Sequence, residues 1–168
     1  RAMTRALVTG ASGYVGGRLC AALAAGGWEV HALARAHDDR TREAAVRAAR
    51  AEVLFHLAAD ASADDAPGAA ARIVDANLRF ATLAVDAFAA SGGRAVVHAG
   101  SFWEFGEDGA GPPNSLYAAT KLAFRIVLGR YAARGLAAAS LTLFDVYGLS
   151  DPRPKLLPDI HRSILKNG

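Results

Sequence analysis

The run Ala6-Leu7-Val8-Thr9-Gly10-Ala11-Ser12-Gly13-Tyr14-Val15-Gly16 decides the fold. A short apolar segment gives way to three glycines spaced three apart, and a helix-compatible segment, Gly17 to Ala25, follows. This reads as strand, tight turn, helix. Gly10 lets the chain turn sharply at the strand end, Gly13 lets the backbone approach a pyrophosphate, and Gly16 lets the new helix pack closely on the sheet. The N–H groups and positive dipole end of that helix then face the phosphates. A glycine pattern alone is weak evidence, and the strand before it and helix after it give it weight.

Outward from this turn, the apolar runs recur at the spacing of an α/β protein. Glu29 to Leu33 alternates and branches like a second strand, after Gly26-Gly27 closes the first helix. Arg40 to Ala51 reads as a short helix and Val53 to Leu57 as a buried strand. Ala69 to Ala90 is a long amphipathic helix carrying Asn77, whose amide, if it faces the sheet, can anchor a backbone carbonyl or a water near the site. Arg94 to His98 is a strand introduced by Gly92-Gly93, Leu116 to Tyr131 a helix that Asn114 or Ser115 can cap, and Ala138 to Leu143 a further strand. After Asp151-Pro152-Arg153-Pro154 comes a last helix, Leu156 to Lys166. The element order predicts a Rossmann-type doubly wound parallel sheet in a single domain over residues 1–168.

Composition excludes several function classes. With 19 basic and 16 acidic residues scattered along the chain, the net charge of +3 forms no basic stripe interleaved with aromatics, which argues against a nucleic-acid partner. No apolar run is long and charge-free enough to span a bilayer, and Arg5 to Val8 leads into a core strand rather than a signal segment. Cys20 is the sole cysteine, so no disulfide forms within the chain; the expected setting is a reducing cytoplasm, with Cys20 as a small buried hydrophobe.

The residues that carry chemistry follow from position. In open α/β sheets ligands bind outside the carboxyl ends of strands, where the fold delivers Ser101. Tyr117 and Lys121 stand four apart on one helix and share a face. A tyrosine is a poor acid or base near neutrality, its reference pKa being about 10. The neighbouring ammonium is expected to stabilise the phenolate and bring that value down. Arg35 stands just past the second strand, where an acidic residue would bind both ribose hydroxyls and an arginine favours the 2′-phosphate of NADP. The cofactor expected is therefore NADP, with NAD as the alternative. His56 reads as a satisfied core histidine.

Together the glycine turn, His56-Leu57-Ala58-Ala59, Ser101 and the Tyr117/Lys121 pair resemble the extended short-chain dehydrogenases/reductases, the NAD-dependent epimerase/dehydratase family. Further wording, Ser101-Phe102-Trp103, Leu116 to Phe124, Leu143 to Gly148 and Asp151 to Lys155, is similar to the branch of nucleotide-sugar 4-ketoreductases that contains CDP-abequose synthase. The resemblance implies roles. Tyr117 is the proton donor or acceptor, Lys121 binds the nicotinamide ribose and tunes Tyr117, and Ser101 holds the substrate oxygen. The cofactor set is Gly10, Ser12, Gly13, Tyr14, Val15, Gly16, Arg35, Leu57, Ala58, Ala59 and Asn77, with Tyr117 and Lys121; the substrate set is Ser101, Phe102, Trp103 and Asp145. No metal is implied.

The resemblance also separates reactions. Sugar 4,6-dehydratases place an Asp-Glu pair directly after the residue matching Ser101, to expel a hydroxyl; Phe102 and Trp103 stand there, which argues against dehydration. A 4-ketoreductase acting with NADPH on a nucleotide-diphosphate 4-keto-6-deoxysugar is expected, with Phe102 and Trp103 as an apolar wall. A 4-epimerase retaining NAD is the alternative, and a non-catalytic dinucleotide sensor is an alternative of another class. Many epimerases carry Asn in the place of Asp145 and Arg in that of Thr142, so substrate contacts do not transfer from them. Relatives also carry a further strand between positions 36 and 53 and a smaller carboxyl-terminal portion after 168, so additional residues are expected at both places. Pairing of the two long helices into a homodimer is a further expectation.

Overall fold

The computed structural model describes residues 3–33, 38–62, 67–148, 151, 160 and 163. Arg35 and most of the expected helix Leu156 to Lys166 lie outside the described residues; Ile160 and Ser163 within it are helical.

The buried strand positions are mostly apolar, and the five strands assemble as a parallel sheet. In chain order the elements are β1 (Arg5–Thr9), α1 (Tyr14–Ala25), β2 (Glu29–Leu33), α2 (Asp39–Ala49), β3 (Val53–His56), α3 (Ala69–Val74), a π-helical turn (Asp75–Arg79), α4 (Phe80–Ala90), β4 (Ala95–Ser101), a 3₁₀ turn (Phe102–Phe105), α5 (Leu116–Ala132) and β5 (Ala137–Leu143). The sheet order is β2-β1-β3-β4-β5, with every pairing parallel. The order reverses between β1 and β3, which opens a crevice at their carboxyl ends. Among the described residues α2 alone carries the connection from β2 to β3.

Ala6, Leu7 and Val8 of β1 are at most 1% exposed, as expected for a strand covered on both faces. Around them the core joins Leu54 and Val96 of the sheet to Val46 and Ala49 of α2, Val85 and Phe88 of α4, and Phe124 and Leu128 of α5. The outer strand β5 is largely exposed over Ala137–Ala139.

The boundaries differ from the sequence reading where local chemistry intervenes. α1 begins at Tyr14 rather than Gly17, because the chain turns helical as soon as Gly13 has closed the loop. Instead of stopping at His98, β4 continues to Ser101, since β5 pairs with it as far as Leu143. The expected single helix Ala69 to Ala90 is interrupted by the π turn, which buries Asn77. Ser115 caps α5, its Oγ accepting from the Ala118 N–H at 3.2 Å. Cys20 is half-buried on α1 rather than part of the core, because α1 turns that face outward; what burial it has raises its thiol pKa.

One polar row crosses this core. Thr9, His56, His98 and Ser140 are register partners on four adjacent strands. The two histidines are at most 1% exposed and their rings stack at 6.0 Å. Burial, with the Lys121 charge adding to it, holds His56 down at about 3; His98 is held at about 2 by burial first and then by Lys121, His56 and Arg125. Both are neutral in the folded protein, whereas in the unfolded chain they titrate near 6.5. Above that pH they cost nothing. As pH falls from about 6.5 toward 3 the unfolded chain takes up protons that the folded one refuses, so stability drops, by roughly 1.4 kcal/mol per pH unit for each histidine. Urea denaturation at pH 7, 6, 5 and 4 should show this loss, and His56→Gln should remove about half of its slope.

Candidate active site

The glycine turn is built by close approach. Gly10 has φ +71°, and a Cβ there would sit 2.7 Å from the Ala58 nitrogen, so only glycine fits between β1 and the segment after β3. At Gly16 a Cβ would lie 2.1 Å from the Gly10 carbonyl oxygen. The third glycine thus lets the start of α1 pack against the turn itself. Thr9 fastens the arrangement: its Oγ1 accepts from the Leu57 and Ala58 N–H groups, each at 3.2 Å, and its hydroxyl proton faces His56 Nδ1 at 2.9 Å. Gly13 is the N-cap of α1, and no side chain caps this end. The first turn therefore offers its helix dipole to the crevice.

Asn77 anchors the next segment. Its Oδ1 accepts from the Asp60 N–H at 2.7 Å, and its Nδ2 donates to the Asp60 carbonyl at 3.0 Å and to Thr120 Oγ1 at 3.1 Å. The amide thus faces a backbone carbonyl, as the sequence predicts, and it ties the segment after β3 to α5. The π turn aims it there; π turns occur frequently at functional sites.

Opposite the glycine turn, β4 and α5 bring Ser101, Tyr117 and Lys121 to one cleft of about 720 Å³. Gly10, Gly13, Tyr14, Val15, Gly16, Leu57 and Ala59 line it from the glycine turn and the segment after β3, and Trp103, Leu143, Phe144 and Asp145 line it from the ends of β4 and β5. Four expected residues do not line it. Ser12 is exposed on the far side of the turn. Ala58 presents its backbone to Thr9 and Gly10, and Asn77 acts through Asp60. Phe102 packs behind Trp103 and stacks on Phe144 at 4.6 Å.

The Tyr117 phenol differs from the sequence expectation. Burial pushes its pKa up; the Ser101 hydroxyl bonded to it pulls the value down, and the Glu104 charge adds to the rise. The net shift is upward, and Lys121, whose Nζ lies 3.4 Å from His98 Nε2, is not among its causes. Lys121 is 3% exposed, and burial lowers its ammonium to about 8 against the opposing pull of Glu104. At neutral pH the cleft thus holds a neutral phenol beside a serine, and a buried ammonium.

Glu104 and Arg125 are the residues that the sequence reading missed. Glu104 is 1% exposed; its Oε1 accepts from the Ser101 N–H and its Oε2 from Arg125 Nε, both at 2.6 Å. Arg125 also donates to Thr142 Oγ1 of β5 at 3.1 Å. Meanwhile the Ser101 Oγ accepts from the Trp103 N–H at 3.3 Å. The signal was present as Ser101-x-x-Glu104, a capping box that starts the 3₁₀ turn and fixes the serine at the strand end. Removing the carboxylate leaves the buried Ser101 N–H without its acceptor and the partly exposed Arg125 with Thr142 alone. Glu104→Ala should therefore cost about 3 kcal/mol in equilibrium denaturation, and Glu104→Gln, which keeps the acceptor, clearly less.

Residues 6–168 match the NAD dependent epimerase/dehydratase family. The chain belongs to that family. Solved structures place it among the family's folds. A UDP-glucose 4-epimerase from Thermus thermophilus, in complex with NAD, superposes with a TM-score of 0.77 at 27% identity, over 89% of this chain and 58% of that one. A short-chain dehydrogenase/reductase superfamily protein from Agrobacterium tumefaciens with bound NAD gives 0.69 at 26% identity, over 82% and 48%. A dTDP-4-dehydrorhamnose reductase from Bacillus anthracis in complex with NADP gives 0.76 over 100% and 62%, and at 18% identity this likeness is one of fold alone. The chain thus spans about half to three-fifths of the length of these structures. No curated protein matches it. No helix among the described residues is long and apolar enough to cross a membrane, and none of them group to hold a metal ion.

The site suits the family's dinucleotide on this chain's own geometry. A glycine cradle that a Cβ would fill, an uncapped helix start and two neutral residues, Leu57 and Ala59, line one side of a cleft whose other side carries the Ser101 and Tyr117 hydroxyls and the Lys121 ammonium. Its volume lies in the range of cofactor sites.

Proposed function

We propose that this chain forms the dinucleotide-binding and proton-transfer part of an enzyme that reduces the C4 ketone of a nucleotide-linked 4-keto-6-deoxysugar with NADPH. The observation that carries this reading is the bonded pair Ser101 and Tyr117, lining with Lys121 the same cleft as the glycine turn, so that a protonated phenol faces the space where a dinucleotide and a ketone would meet. A ketone becoming an alcohol needs a proton donor, and a protonated tyrosine is one.

Gly10, Gly13, Tyr14, Val15 and Gly16 would hold the pyrophosphate side of the dinucleotide, and Tyr117 and Lys121 its nicotinamide end. When bound, the dinucleotide supplies the hydride. Ser101 Oγ then donates a hydrogen bond to the substrate oxygen. The Tyr117 hydroxyl would pass its proton to that oxygen as negative charge develops on it, and with the dinucleotide in place the Lys121 ammonium on the same wall would support the tyrosinate left behind. Positioned acid catalysis of this kind contributes roughly 10²- to 10⁴-fold. Trp103, with Phe102 and Phe144 behind it, supplies an apolar wall against the deoxygenated carbon. Dehydration lacks its acid: Asp145 is the one carboxylate among the described lining residues, and Glu104 is committed to Ser101 and Arg125.

A 4-epimerase with retained NAD is the second reading. It is favoured by the Thermus thermophilus neighbour, which is such an enzyme with NAD. Titrating the full-length protein with a 4-keto-6-deoxysugar nucleotide and NADPH or NADH separates the two. Stoichiometric NADPH oxidation supports the reductase; bound NAD with no net consumption and interconversion of 4-epimers turns the assignment to the epimerase.

Two outcomes test the residues. Tyr117→Phe should lower turnover at least about 100-fold while leaving NADPH binding near normal, and retained turnover would remove Tyr117 from the chemistry. In the unmodified enzyme, turnover should hold level below neutrality and fall as pH rises through about 8, where Lys121 loses its proton. A profile level to about pH 10 would show that the charged form is not required.

A further inference from the structure

Nothing in the proposed reaction uses the polar row beneath the cleft. Yet Lys121 Nζ, carrying three donors and no acceptor, meets in His98 Nε2 an acceptor at 3.4 Å on the sheet side. An imidazole can accept there only if that nitrogen is unprotonated, which puts the ring proton on Nδ1. That is the nitrogen lying 2.9 Å from Ser140 Oγ on β5. The tautomer that suits Lys121 is thus the one that donates to Ser140. The ring itself is fixed in place, stacked on His56 at 6.0 Å and edge-on to Phe124 at 4.9 Å.

We propose that His98 is the positioning residue for the catalytic lysine: a neutral imidazole, its tautomer set by Ser140, that holds the Lys121 ammonium in the wall of the cleft that also carries Tyr117. The proposal rests on the reading of Lys121 as part of the reacting set and adds the residue through which the sheet acts on it. A buried ammonium on a flexible four-carbon stem has several rotamers open to it, and only a fixed acceptor selects one. A neutral acceptor does so without cancelling the charge that the phenolate needs. A carboxylate at position 98 would neutralise Lys121; a permanently charged cation would repel it. The titratable and charged groups around Lys121 are His98 from β4, His56 from β3 and Glu104 from the 3₁₀ turn, with Tyr117 and Arg125 one turn away on either side along α5, Arg125 acting on His98. Of these, His98 is the one in direct hydrogen-bond contact with the amine.

The sequence supplies a direct probe, because it contains three lysines only, Lys121, Lys155 and Lys166. With ¹³Cε-labelled lysine, three signals are followed against pH in the full chain, and Lys121→Arg identifies the one that disappears. In the unmodified protein the Lys121 signal should titrate near 8, well below the two others. His98→Leu, of similar bulk and without an acceptor, should move that titration down by about one unit or more, and His98→Gln, whose amide oxygen can accept, should restore most of it. Ser140→Ala, on the half-exposed outer strand, should give a smaller shift in the same direction even if His98→Leu fails to fold. In turnover the same series should lower kcat and move the basic limb of the pH profile with KM unchanged. If neither His98→Leu nor Ser140→Ala moves the Lys121 titration, His98 does not hold the lysine and the proposal is wrong. If the titration moves as expected but no sugar nucleotide is reduced, the positioning role stands and the reductase reading falls.

Discussion

Everything at this site depends on the backbone of the first turn lying against the backbone that follows the third strand. Gly10 and Ala58 approach so closely that a single methyl group would not fit between them, and the first helix rests on the Gly10 carbonyl through Gly16. Close packing of peptide groups is tolerable only where their donors are satisfied. Thr9 provides that, taking two N–H groups on one hydroxyl oxygen. The crevice at the switch point of the sheet therefore has a rigid wall before any ligand enters, and the cost of ordering that wall is met by folding rather than by binding.

The opposite wall is held by charge. Glu104, its side chain out of contact with solvent, fixes the Ser101 amide on one oxygen and Arg125 on the other, and Arg125 reaches Thr142. Strand end, helix and outer strand are thus joined behind the serine. An ion pair of this kind contributes little net stability, since desolvation offsets most of the attraction. Its effect is on position and on field. The same carboxylate raises the phenol of Tyr117 and supports the ammonium of Lys121. The protonation of Tyr117 and Lys121 is therefore set by burial first, and then by Ser101 for the phenol and by Glu104, which does not line the cleft, for both.

Much of the fold was legible along the chain because parallel buried strands and the helices that cover them have distinct periods. β2 was read with its observed limits, and β3 and β5 to within one residue. Three features escaped for identifiable reasons. The π turn is a departure from helical period that amphipathicity averages over, and the packing of Asn77 against Asp60 and Thr120 produces it. The capping box at Ser101 was hidden behind the aromatic pair Phe102-Trp103, which drew the reading toward substrate contacts. Phe102 itself stacks on Phe144, a choice made by the segment just past β5, some forty residues away.

By itself the sequence determined the α/β class, the glycine turn, and the placing of a serine, a tyrosine and a lysine at the carboxyl side of a parallel sheet. These follow from spacing, which is local. Tertiary structure alone decided the protonation of those groups. Spacing put Tyr117 and Lys121 on one face and suggested that the amine would lower the phenol; burial raised the phenol, and the amine lies against His98 on a neighbouring strand. A pKa depends on distance and on exclusion of water. Both are set by the strand register that aligns Thr9, His56, His98 and Ser140 across the sheet, and no residue in that row carries a sign of its neighbours in the linear chain.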